Sequence, residues 1–163
     1  MNQSAAALST TSHALPAIFF AGLACGVMDI TAAFIVYGNM FHISPIRILH
    51  SVAAGLLGPR SYTGGLATAA LGLLCHFVIA FGAATVFFLL ARSFPFLLTQ
   101  PILWGPLYGI AVYFFMNRVV VPLSNAAKAP FSLKMMLIGV VIHIFCVGLP
   151  IVLVTRRFSA SSN

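Results

Sequence analysis

Apolar residues fill four long stretches of this chain, with short polar connectors between them: Leu15 to Tyr37, Gly64 to Ala91, Ile102 to Val121 and Met135 to Val154. A helix crosses the roughly 30 Å hydrocarbon layer with about 20 mostly apolar residues, each rising about 1.5 Å. All four stretches meet that length, so each predicts a membrane-spanning helix. The second is long enough to tilt or to project beyond the hydrocarbon.

A shorter apolar piece, Ser44 to Gly58, lies between the first and second spans. Ser44 followed by Pro45 is a helix-start signal, and Gly58 with Pro59 is a stop. Ile46, Leu49, Val52, Ala53 and Leu56 recur at helical spacing, with Arg47, His50 and Ser51 on the other side. At about 20 Å this helix is too short to span, which predicts an interfacial or re-entrant helix. Its polar residues Arg47 and His50, with Arg60 just beyond, are expected to face solvent or lipid headgroups.

Residues 1–14 are rich in Ser, Thr and Ala and are expected, with residues 159–163, to form flexible tails around one domain over 15–158. The first segment has neither the basic region nor the short apolar core of a cleaved secretory signal, so the first span is expected to stay as an anchor.

Composition turns these spans into a fold class. Of 163 residues, 61% are hydrophobic and 6% charged, against roughly 45–50% and about 25% in soluble domains. Nine charged side chains cannot cover a water-soluble fold of this size, and disordered chains are poor in apolar residues. The reading is an all-α polytopic membrane protein with four transmembrane helices and one short interfacial or re-entrant helix.

The formal charge of +7 does not indicate a nucleic-acid surface, because the eight Lys and Arg residues are scattered between apolar runs. Basic residues beside such runs report topology and anionic lipid. If the spans alternate, the side holding both termini carries Arg92, Arg156 and Arg157. The other side carries Arg47, Arg60 and Lys128, with Arg118 and Lys134 near its edge, which favours external termini. Cys25, Cys75 and Cys146 each sit in an apolar run without CxxC spacing, so neither a disulfide framework nor a zinc module is supported. Trp104, Tyr62 and Tyr37 fit an interfacial aromatic belt, and Pro150 is expected to kink or loosen the fourth helix.

The candidate chemistry lies in a polar layer. Measured from the terminal side, Asp29 is about 21 Å deep, His76 and Asn117 about 22 Å, and His143 about 17 Å. Arg118 is one residue beyond Asn117. Small residues step toward these positions: Gly22 and Gly26 before Asp29, Gly64, Thr68 and Gly72 before His76, Gly105 and Gly109 before Asn117, and Gly139 before His143. Such stripes let helix backbones approach in a membrane and turn the polar groups inward.

This layer has three readings. Asp29 pairs with Arg118 or His76 in a structural network closed by Asn117 and His143. Alternatively, the carboxylate and two imidazoles handle protons or ions in a transport or conductance path. A metal or haem site has ligand types at hand, with His143 three residues from Cys146, Cys25 four from Asp29, and His76 opposite His143, but no spacing demands a metal or cofactor. Enzymology has little footing: there is no second carboxylate, GxSxG, HExxH or phosphate-cradling loop.

Ser44-Pro45-Ile46-Arg47-Ile48-Leu49 and Ala54-Gly55-Leu56-Leu57-Gly58 make this chain similar to small, uncharacterised bacterial inner-membrane proteins of four helices. So do Gly64-Gly65 ahead of His76, Met116-Asn117 leading to Val121-Pro122-Leu123-Ser124, and Gly148-Leu149-Pro150 before the arginine pair. The chain is distantly similar to YagU-type proteins. The resemblance implies a multi-pass protein of the bacterial inner membrane and supplies no activity, ligand or catalytic residue. The expected partners are the lipid bilayer and, through the glycine-rich faces, a second copy or another membrane protein. The function expected is structural or partner-binding, with proton- or ion-coupled transport as the alternative.

Overall fold

The computed structural model describes residues 3–128 and 130–160, with side chains described for 14–128 and 130–159. Among the described residues the chain is all-helical with no strand. Four helices are long and apolar enough to cross a membrane: Ala14–Phe41, Gly65–Ser93, Pro101–Leu123 and Leu133–Ser159. Their outer faces remain apolar, with Ile102 83% and Leu66 76% exposed. A soluble monomer rarely leaves so much large apolar surface open, whereas lipid solvates it. This is an all-α polytopic membrane protein.

At both ends helix extends beyond the spans. The first helix begins at Gln3, and the last runs through Ala160. The Ala5-Ala6-Ala7-Leu8 run is strongly helix-forming and no proline interrupts it before Pro16, so helix continues outward from the span. Met1, Asn2 and residues 161–163, also assigned to the tails, lie outside the described residues.

Packing divides the bundle across its length. In the half holding the termini, Ala21, Cys25, Ala80, Ala84, Phe87, Val147, Ile151 and Val152 form one buried cluster. Tyr108 closes it: its ring lies 4.9 Å from that of Phe87, and its hydroxyl donates to the Ala83 carbonyl at 2.7 Å. The third and fourth spans meet backbone to backbone here. A Cβ at Gly109 would strike the His143 carbonyl oxygen and lie 2.9 Å from Ile144 Cα, and one at Gly148 would strike the Gly105 carbonyl oxygen. The Gly22 and Gly26 pair works differently from the backbone contact its spacing suggested. Phe81 and Phe77 of the second span fill the hollows at these two glycines with their rings.

In the opposite half the short helix, Pro45–Leu57, displaces span-to-span packing. Ser44 caps it, accepting from Arg47 N at 3.4 Å, and Pro45 occupies the first turn. It leans on Gly72, where a Cβ would strike the Leu49 carbonyl oxygen. Gly72 is seven residues into the second span, about 10 Å along its axis. The short helix is therefore packed into the bundle's end and does not lie apart on the membrane surface. Its buried residues are Ile48, His50, Ala53 and Ala54, while Ile46 and Leu56, on the apolar face read from the spacing, are exposed. Small Ala53 and Ala54, rather than bulk, permit this close approach.

The third and fourth spans each contain a widened π segment, Met116–Val120 and His143–Gly148. Val121 N–H donates to Met116 O and Leu149 N–H to Ile144 O, both five residues back. The next residue is proline in both spans, Pro122 and Pro150. Proline has no N–H, and its ring crowds the carbonyl four residues earlier, so the widened turn just before it relieves that conflict.

Candidate functional site

Where the two halves meet, a cleft of about 1290 Å³ opens toward the loops opposite the termini. The first span contributes Asp29 and Tyr37, the short helix Arg47 and Ser51, and the following 3₁₀ segment Tyr62. His76 comes from the second span, Tyr113, Asn117 and Arg118 from the third, and Gly139 and His143 from the fourth. Lys128 and Ser132 close it from the last connector. All five residues of the sequence-derived polar layer line this one cleft.

They do not form a buried, mutually bonded layer. Asp29, His76 and His143 are half-buried, and Asn117 and Arg118 are exposed. Among the described residues no hydrogen bond joins two of the five, and no ion pair forms on Asp29; the bonds that are made go to backbone carbonyls. His76 Nε2–H donates to Gly26 O at 2.8 Å, tying the second span to the first. Asn117 Nδ2–H donates to Tyr113 O at 2.9 Å, and His143 Nδ1–H to Gly139 O at 2.9 Å.

The last two bonds share one logic. Asn117 lies one residue into one π segment and His143 at the start of the other, and each side chain bonds the carbonyl four residues back, which also accepts a backbone N–H, from Met116 and His143 respectively. These two polar side chains are thereby tied back onto their own helices. His76 likewise serves as a tether. Since a carbonyl only accepts, the bonded nitrogen of each ring carries a proton.

The charged residues have no such account. Asp29 is the only acidic side chain in the sequence, against eight Lys and Arg. Three of those cations, Arg47, Arg118 and Lys128, line the cleft. Arg47 is steadied over the Tyr62 ring, 5.1 Å from its centroid, a cation–π contact that leaves guanidinium N–H groups available.

His50 needs correction. It was expected at the headgroups, but it is 7% exposed, and its Nε2–H donates to Gly65 O at 2.8 Å. Gly58 and Gly65 both adopt positive φ, folding the connector back so that the second span begins beside the short helix. Arg47 and Arg60 remain exposed. Tyr113 is a wall of the site, its ring 5.3 Å from that of His143 and set against Gly139. Lys128 and Ser132 had no signal beyond their place in a connector. Among the described residues, no three His, Cys, Asp or Glu side chains converge as a metal-binding group.

No protein-family model, curated protein or solved structure matches the chain.

Proposed function

We propose that this chain is a binding protein of the bacterial inner membrane that holds a ligand in a cleft open to one side. The observation that carries this reading is a division of labour in the cleft. The imidazoles and the Asn117 amide are committed to backbone carbonyls, while Asp29, Arg47, Arg118 and Lys128 face the same cavity without side-chain bonds to one another. Charged groups inside a membrane protein characteristically face a water-filled cavity or a bound ligand. The basic residues gather on the cleft's side of the membrane, which supports a cytoplasmic mouth under the positive-inside rule.

Conductance is less well supported, because the half of the bundle beyond the cleft holds the buried cluster of Cys25, Ala84, Phe87 and Ile151. Cysteine labelling tests the reading. In inside-out vesicles, Asn117→Cys and Met136→Cys are expected to react with a membrane-impermeant maleimide, whereas Ile151→Cys stays unlabelled. Asn117→Cys and Met136→Cys inert from both sides, or a steady ion flux through the parent protein in proteoliposomes, would overturn it.

A further inference from the structure

We infer that the cleft's ligand is an amphiphile with a phosphate headgroup, held by Arg47, Arg118 and Lys128. This rests on the binding reading above and goes further by naming the ligand's chemistry.

Charge sets the headgroup. The three cations reach the cleft from three separate elements: the short helix, the third span and the last connector. One carboxylate cannot neutralise them, and the sequence holds no other acidic side chain. Three basic side chains sharing a cleft with one carboxylate favour an anion. Guanidinium groups suit the tetrahedral oxygens of phosphate, and a lysine adds a point charge. Arg118 lies five residues before the end of its span, about 8 Å in from that end. It is therefore within snorkelling reach of the headgroup level, where a lipid phosphate resides.

Size and wall chemistry set the remainder. At about 1290 Å³ the cleft exceeds the roughly 300–1,000 Å³ usual for small-molecule sites. A free inorganic anion would leave most of it empty. Its walls also carry apolar surface, with Phe41, Phe114 and Phe131 exposed there. An exposed apolar surface of this kind suits acyl chain, and the surrounding bilayer supplies amphiphiles at high local concentration.

The experiment uses the full-length protein in nanodiscs of phosphatidylcholine alone or doped with phosphatidylglycerol, read by native mass spectrometry after release. Retention of phosphatidylglycerol over phosphatidylcholine is expected, weakening about fivefold for each of Arg47→Gln, Arg118→Gln and Lys128→Gln, and about a hundredfold for all three. Arg92→Gln, Arg156→Gln and Arg157→Gln together, on the side of the termini, serve as a charge-matched control for the triple variant and should retain lipid like the parent. Unchanged retention in the folded triple variant would overturn the inference while leaving the binding reading intact, provided Asn117→Cys still labels. Binding of inorganic phosphate with no preference between the two lipids would also overturn it, assigning the site to a free anion. If Asn117→Cys and Met136→Cys do not label at all, the binding reading itself falls.

Discussion

The two halves of the bundle use the same residue types to opposite ends. In the half with the termini, glycine and alanine bring backbones together: Gly105, Gly109 and Gly148 seat the third span on the fourth, and Ala21, Ala80 and Ala84 lie under Phe87. In the other half, Gly72 accepts the short helix instead of another span. The opening stretch of the fourth span, Leu133–Ile142, then packs chiefly against the third span and its own continuation. Small residues set how near two helices can approach, but which partner fills the space decides whether the result is sealed or open. In a bilayer no hydrophobic effect drives helices to close such a gap, so a cleft persists wherever a short helix occupies a span's packing face.

The largest predicted effect tests the sealed half. Gly148→Leu drives a side chain into the Gly105 carbonyl and the Gly109 backbone, neither of which can yield without parting the two spans. Overpacking of this kind costs about 1–3 kcal/mol where neighbours can shift, and more where only backbone is present. Loss of monodisperse protein in detergent is the expected outcome. Gly82→Leu is the matched control, since a Cβ there meets nothing within 4 Å, and its thermal midpoint should stay near the parent's. Equal behaviour of the two variants would remove the distinction between the halves.

A smaller effect separates two histidines that look alike in the sequence. Both donate Nε2–H to a glycine carbonyl at 2.8 Å, His50 to Gly65 and His76 to Gly26. His50 is buried, and His50→Ala empties a packed position as well as removing one bond to a carbonyl that keeps the Thr68 hydroxyl, at a cost of about 1–3 kcal/mol. His76 borders the open cleft, where water can replace it, so His76→Ala is expected to cost about 0.6 kcal/mol, the average for such bonds in membrane proteins. Thermal unfolding in detergent orders the two. A larger loss at His76 would mean that the cleft is dry.

Much of this arrangement was legible beforehand, for identifiable reasons. Span length follows from apolar run length, and depth from a fixed rise per residue, which is why Asp29, His76, Asn117 and His143 line one cleft. Their bonding was not legible. Counting residues places side chains at a level but does not show that a backbone carbonyl is nearer than another side chain. The π segments had a signal in Pro122 and Pro150, each lying beyond a polar residue, though only Pro150 invited attention as a kink. The burial of His50 depends on Gly58 and Gly65 turning the connector back, a long-range event that the periodicity of the short helix does not encode.

The smallest predicted effect is the most discriminating. A carboxylate facing lipid or dry protein at mid-bilayer costs about 2.5–3.5 kcal/mol on insertion scales, so removing its charge would stabilise the fold by a comparable amount. Asp29 is half-buried on the cleft wall. If water reaches it there, its charge is already solvated, and Asp29→Asn, which keeps shape and polarity, should shift stability by no more than about 0.5 kcal/mol. Chemical unfolding of parent and variant in the same nanodisc measures the difference directly. A gain of 2 kcal/mol or more would mean that Asp29 faces no water and that the open half is closed in the membrane, in which case both halves are sealed and the contrast between them fails.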